Sequence, residues 1–312
     1  MRTPWILVVF LLPFMAIANQ ISDKEIEERL KKFNYDPHQE LISFKLKKKK
    51  LLYKKYVGKV RGIDPTKNVQ MNTTFTWYKN KLPGQRPVVL IIPSIIGLTY
   101  IESDVASFVA NLGVHAVVVE LSENISDPNR PTSDVDGFLI RNQVSISRVI
   151  DFLEGESSVD TSKIGIFGYS LGGIRSTLAL EVEPRIDAAF VLVAGGNLPD
   201  ILTHSKQKIV AQWRRERMKR EGISSKKLFF KKLKKLIKID PIYFAKLRSQ
   251  NEIYMILGEK DTAVPTKNQF ELLDAFNYPK HQKFPLPHFW TALTYKLNLL
   301  RALIFLKNRW GD

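Results

Sequence analysis

The sequence predicts an α/β protein with a mostly parallel central sheet flanked by helices and a helical cap inserted before the last strands. Three observations carry this expectation. Short continuous apolar runs at 88–92, 116–119, 164–167, 188–194 and 253–258 have the length and content of strands buried on both faces. Segments of helical spacing alternate with them, and right-handed crossovers then place helices on both sides of one sheet. The run at 164–167 leads into Gly168-Tyr169-Ser170-Leu171-Gly172-Gly173, a G-x-S-x-G turn that opens a helix-like segment.

The first elements are read from local signals. Arg2 precedes an apolar run at 5–17 that ends in Ala16-Ile17-Ala18, the small-x-small pattern of an export signal, so residues 1–18 are expected to be a signal peptide. An uncleaved N-terminal anchor is the alternative. Residues 19–312 are expected to form one domain, exported to the periplasm or secreted. Ser22-Asp23-Lys24-Glu25 has the form of a capping box and predicts an amphipathic helix at about 23–33. The Lys-rich run 47–50 and the strand-like 51–60 read as an opening β segment with a solvated cationic face.

Residues 75–78 read as a strand followed by a Leu82-Pro83-Gly84 turn, and 88–92 as a central strand. Helices are expected at 101–112, stopped by Gly113, at 142–153 and at 171–180. After the last clear strand, at 253–258, helices are expected at 269–276 and 289–308.

The interval 199–250 is too long for a bare loop and is expected to be the cap. It holds sixteen Lys/Arg against four Asp/Glu, net +12, and 45–67 holds ten against one, net +9. The formal charge of the whole chain is +17, so the remainder is slightly acidic. Local basic surfaces on an enzyme therefore fit better than nucleic-acid binding, for which no reader motif is present. In the cap, Phe229, Phe230, Leu233, Leu236 and Ile237 recur at helical spacing, with lysines on the remaining arc. The expected role is a lid over a pocket, and the competing one is peripheral contact with an anionic membrane. With no cysteine, disulfides and a Cys nucleophile are excluded.

A serine between glycines at the end of a buried strand sits on a sharp turn, where a base can activate it and an oriented acid can support the base. Of five histidines, His288 is the candidate base, because Phe284-Pro285-Leu286-Pro287-His288 is a proline-stiffened loop just before the C-terminal helix. The candidate acid is Asp261, immediately beyond the strand at 253–258, with Asp200 and Glu259 as alternatives. Asp261 as a mere cap of the following helix is the plainer reading. Oxyanion donors are expected from the amides of Leu171 and Ile95, with Ser94 or Ile96 able to replace the latter. The chemistry calls for no metal or organic cofactor.

Ser170, Asp261 and His288 in that chain order, with the serine turn and Gly258-Glu259-Lys260-Asp261-Thr262-Ala263-Val264-Pro265, resemble the α/β-hydrolase superfamily. Ser94-Ile95-Ile96-Gly97-Leu98, the helix ending at Gly113 and Gly168-Tyr169-Ser170-Leu171-Gly172-Gly173 are similar to dienelactone hydrolase-like members. That family often carries a cysteine nucleophile and an acidic residue before the oxyanion-turn isoleucine, where this chain has Ser170 and Ser94, so dienelactone itself is not the expected substrate. The resemblance implies an α/β-hydrolase fold and cleavage of carboxylic esters or thioesters through an acyl-enzyme on a Ser170-His288-Asp261 triad. A membrane-associated lipase or acyltransferase, and a catalytically silent binding protein on the same scaffold, are the competing functions.

Overall fold

The structure is a computed structural model and describes residues 21–120, 123, 127 and 130–311. The expected export signal lies outside the described residues. Helix α1 (Asp23–Leu30) starts where the capping pattern put it, with the Glu25 amide donating to Ser22 Oγ at 3.2 Å, and a 3₁₀ turn carries it to Phe33. Strands β1 (Glu40–Lys49), β2 (Tyr53–Ile63) and β3 (Gln70–Asn80) follow as an antiparallel meander. The sequence reading anticipated only parts of it. β1 is an edge strand whose lysines face solvent, so it lacks the apolar alternation that announces a half-buried strand.

From β4 (Arg86–Ile92) onward strands and helices alternate: α2 (Tyr100–Asn111), β5 (His115–Val119), α3 (Val135–Glu154), β6 (Val159–Tyr169), α4 (Leu171–Val182) and β7 (Ala188–Leu192). Four helices then fill the interval before the next strand: α5 (Leu198–His204), α6 (Lys208–Arg220), α7 (Lys226–Leu236) and α8 (Pro241–Phe244). The chain closes with β8 (Ile253–Gly258), α9 (Thr266–Ala275), β9 (Lys280–Phe284), α10 (His288–Leu293) and α11 (Tyr295–Trp310). The single helix expected at 289–308 is two, divided at Thr294, whose hydroxyl donates to the Thr291 carbonyl at 2.7 Å.

The nine strands form one sheet in the order β1-β2-β3-β5-β4-β6-β7-β8-β9, antiparallel up to the β3–β5 pair and parallel beyond it. Alternation along each central strand divides its side chains between two cores. Val88, Leu90 and Ile92 of β4 join the layer that holds α3, α4 and α9, whereas Val89 and Ile91 join the layer of α2 and α11. Both faces are thus covered, which is why these strands read as continuous apolar runs.

The interval between β7 and β8 is tied at both ends by one side chain. Asp240, fully buried before α8, accepts hydrogen bonds from the amides of Asn197 and Leu198 at the start of the interval and of Ile242 at its end. Burial pushes its carboxyl up to about 7 despite those donors. Within the interval Phe229, Leu233 and Ile237 are buried, with Phe229 packed edge-on against Trp213 of α6. The apolar stripe of α7 is therefore internal, and Lys227, Lys231, Lys234 and Lys235 face water.

Candidate active site

Ser170 follows β6, near the middle of the sheet, and its backbone lies at φ +56° and ψ −127°, a left-handed conformation that a residue with a side chain rarely adopts. The neighbouring backbones leave no alternative to glycine on either side. A Cβ on Gly168 would stand 2.3 Å from the Gly172 carbonyl oxygen, and one on Gly172 would stand 2.2 Å from that of Ile92. The Ser170 amide donates to the Leu192 carbonyl at 3.0 Å, which fixes the turn to β7. The side chain is left at the carboxyl ends of the parallel strands, where open α/β sheets place their sites.

His288 is the first residue of α10, and the Ser170 hydroxyl donates to its Nε2 at 2.9 Å. Its Nδ1–H donates to Asp261 Oδ2 at 2.6 Å, and because a carboxylate accepts only, this contact selects the tautomer that leaves Nε2 free to accept. Asp261 is buried. Its Oδ1 accepts from the amides of Ala263 at 2.8 Å and Val264 at 3.1 Å, and its Oδ2 also accepts from Gln269 Nε2 at 2.9 Å. Asp261 therefore organises its own turn, yet it does not cap α9, whose N-cap Pro265 has no side-chain cap bond. Of the alternative acids, Asp200 pairs with His204 at 3.0 Å on α5, and Glu259 is exposed.

One residue and one strand that hold this arrangement carry no legible signal. Gln269 accepts the Gly258 amide at 3.0 Å through Oε1 while donating to Asp261, so it locks the acid to the end of β8. Strand β9 supports the histidine: it pairs in parallel with β8, and the Glu259 and Lys260 amides donate to the carbonyls of Phe284 and Leu286. A polar Lys280-His281-Gln282-Lys283 segment at the sheet edge gave no indication of a strand.

The residues expected to supply anion donors lie beside the serine. Leu171 is the first residue of α4, where helix amides have no partner inside the helix and the helix dipole is positive. Ile95 stands in the turn after β4, closed by the Gly97 amide on the Ser94 carbonyl at 3.0 Å, and lines the cavity beside Ser170. Glu102 braces that turn. It is buried, accepts the Thr99 amide and hydroxyl at 2.7 and 2.6 Å in a capping box of α2, and accepts the Tyr169 hydroxyl at 3.0 Å. Burial pushes the Tyr169 hydroxyl up to about 12, so it remains a donor through the neutral range.

Two chambers meet at Ser170. An inner one of about 70 Å³ is lined by apolar side chains that include Leu139, Ile174, Leu198, Ile201, Leu202 and Val210, the last four from α5 and α6. An outer one of about 400 Å³ opens past Ile96, Tyr100, His288, Phe289 and Leu293. Gln207 borders both, its Oε1 held by the amides of Ile209 and Val210 at the start of α6.

Residues 74–211 match the dienelactone hydrolase family and residues 145–287 the prolyl oligopeptidase family. No curated protein matches the chain in sequence. Solved structures share its fold: acetyl xylan esterase 1 from Thermoanaerobacterium sp. JW/SL YS485 superposes with a TM-score of 0.62 at 16% identity, covering 90% of this chain and 95% of that one. The putative dienelactone hydrolase from Klebsiella pneumoniae subsp. pneumoniae MGH 78578 gives 0.51 at 15% identity, covering 80% and 98%. Est1E from Butyrivibrio proteoclasticus gives 0.55 at 15%, covering 79% and 97%. With a serine on a strained turn at the strand ends and these likenesses, the chain has the α/β-hydrolase fold and is similar in sequence, over residues 74–211, to the dienelactone hydrolase family.

Proposed function

We propose that this enzyme hydrolyses carboxylic esters and thioesters of short acyl chains through an acyl-enzyme on Ser170, with His288 as general base and acid and Asp261 as its orienting carboxylate. The observation that carries the reading is the unbroken relay from the Ser170 hydroxyl to His288 Nε2 at 2.9 Å and from His288 Nδ1 to Asp261 at 2.6 Å. Ser170 Oγ adds to the ester carbonyl as His288 takes its proton, and the resulting imidazolium is stabilised by Asp261. The amides of Ile95 and Leu171 receive the oxyanion. Collapse of this intermediate breaks the bond to the alcohol or thiol, which leaves with the proton held by His288. Water then gives its proton to His288 and its oxygen to the acyl carbon, releasing the acid and restoring the serine.

The leaving group must lie on the side of the imidazole that protonates it, which is the outer chamber bordered by His288 and Phe289. The acyl group then falls in the inner chamber. A space of 70 Å³ takes about five waters or a short acyl chain of similar bulk, so acetyl to about pentanoyl esters fit and long fatty acyl chains do not.

Labelling with a fluorophosphonate probe tests the assignment: wild type is labelled and Ser170→Ala is not. Persistent labelling of Ser170→Ala would overturn it. Export is part of the same reading, supported by Arg2, the apolar run 5–17 and Ala16-Ile17-Ala18. N-terminal sequencing of the protein recovered outside the cytoplasm is expected to begin at Asn19.

A further inference from the structure

The C-terminal helix is apolar on two sides. Tyr295, Ala302, Leu303, Phe305, Leu306 and Trp310 of α11 are buried in the core beneath the sheet. On the outer side Leu297, Leu300 and Ile304 are 78%, 58% and 50% exposed, at a spacing that stacks them on one face. An exposed apolar stripe opposite a buried one marks a surface that contacts something else.

This stripe continues into the mouth of the outer chamber. Tyr295 donates to Asp104 at 2.9 Å and Lys296 reaches the same carboxylate at 3.7 Å, so the start of α11 lies against the first turns of α2, which begins at Tyr100. Tyr100, Ile96 and Phe289 are the exposed apolar residues that rim the chamber, and Trp290 packs edge-on against Phe289 with more than half of its own surface open. One apolar face therefore runs from the chamber entrance along the outside of α11.

Its surroundings are cationic. The sixteen residues of α11 include Lys296, Arg301, Lys307 and Arg309 and no Asp or Glu. Beside Ile304 a groove of about 340 Å³ is bordered by Lys280, Arg301 and Arg309. Arg309 is shared with Glu252 at 3.6 Å, whereas Arg301 donates to the neutral side chains of Gln282 and Asn298. Among the described residues no helix is long and apolar enough to cross a membrane.

We propose that the outer face of α10 and α11 docks on an anionic phospholipid surface, with the chamber entrance turned toward the lipid. Leu297, Leu300 and Ile304 enter the acyl boundary, Trp290 and Tyr100 sit at headgroup level as aromatic rings do at such interfaces, and the flanking cations meet lipid phosphates. A second copy of the chain is the poorer occupant, because pairing this face with itself brings two cationic borders together. This surface lies apart from the basic α7, whose own apolar stripe is buried. The inference concerns where the serine esterase works and does not depend on Ser170 being its nucleophile.

The chain has no cysteine, so Leu300→Cys and Lys227→Cys each give a single thiol for an environment-sensitive fluorophore. With vesicles of phosphatidylglycerol and phosphatidylcholine, the label at position 300 is expected to brighten and shift to the blue, and the label at 227 on α7 to stay unchanged. Neither responds to vesicles of phosphatidylcholine alone. The triple variant Leu297→Ser, Leu300→Ser, Ile304→Ser is expected to partition onto the anionic vesicles at least about tenfold more weakly while keeping its hydrolysis of a soluble ester. Ser170→Ala is expected to bind vesicles like wild type, which separates this inference from the catalytic one. A silent label at 300, a response at 227 in its place, unchanged partitioning of the triple variant, or a shift at 300 that depends on protein concentration without lipid would each overturn the proposal, the last in favour of a second copy.

Discussion

Tyr169 donates its hydroxyl to Glu102 at 3.0 Å and so joins the residue before the nucleophile to the first turn of α2. Because Glu102 also accepts the amide and hydroxyl of Thr99, one carboxylate holds together the turn that carries Ser170 and the turn that carries Ile95. Ser170 and Ile95, the proposed nucleophile and oxyanion donor, are held relative to each other through this contact. Glu102→Gln puts an amide N–H₂ against donors that need an acceptor, and Tyr169→Phe removes one donor. Each is expected to lower kcat about tenfold, with KM for a small aryl ester little changed. Steady-state kinetics of the two single variants and the double variant check this, the double being no slower than Glu102→Gln.

The Ser170–His288–Asp261 relay is expected to act as a unit. Ser170→Ala and His288→Ala are each expected to reduce kcat by about 10⁴-fold or more, and the double variant to be no worse than either alone. Asp261→Asn reverses the preferred imidazole tautomer and is expected to cost a similar factor, about 10⁴-fold. Single-turnover measurement of acylation with an aryl acetate reads all four.

Acyl selectivity is expected to follow the inner chamber. Leu202, half-buried on α5, lines it without touching the relay. Leu202→Ala lengthens the chamber, and the ratio of kcat/KM for a hexanoyl over an acetyl ester is expected to rise about tenfold or more, since one methylene in an apolar pocket is worth about that. Leu202→Phe is expected to move the ratio the other way. Competition between the two esters in one reaction measures both.

Stability is expected to fall on mild acidification because of His115. This residue is buried where β5 begins. It accepts the Asn80 amide at Nδ1 (3.0 Å) and donates from Nε2 to the Ser158 carbonyl (2.9 Å), so it is held neutral. Burial brings its pKa down to about 4. In the unfolded chain the ring takes a proton below about 6.5, so the unfolded state gains protons that the folded state refuses. The contribution is whole above that value and is lost as pH falls toward 4. In His115→Gln the fall in unfolding free energy between pH 6 and 4.5 is expected to be shallower by about 1 kcal/mol per pH unit, as measured by urea denaturation.

Much of this site was legible because its chemistry constrains local sequence. The turn around Ser170 demands glycines where backbones touch, and the base sits in a loop that prolines stiffen. Both demands are met within a few consecutive residues. The bracing groups obey no such rule. Glu102 and Tyr169 are 67 residues apart and meet only because α2 folds across the end of β6. Gln269 looks like any helix residue until β8 is placed beside it. Strands went unread or partly read at the edges of the sheet: β1 and β9 are lysine-rich and partly exposed, and pairing with a neighbour, not apolar patterning, makes them strands. The break at Thr294 was hidden because a hydroxyl turning back on its own backbone leaves the apolar periodicity intact.

Asp240 gathers the beginning and the end of the α5–α8 interval onto one side chain, next to where the chain leaves β7 and not far before it enters β8. The two ends of the interval are thus fastened to one side chain, and Asp136 holds it again just before Asp240 through the amides of Lys238 and Ile239. The stretch between these ties lines the inner chamber, while the strand ends beside Ser170 are held by the sheet. Selectivity in such an architecture is free to drift independently of chemistry, and the enzyme's repertoire can be re-tailored by grafting one excised segment.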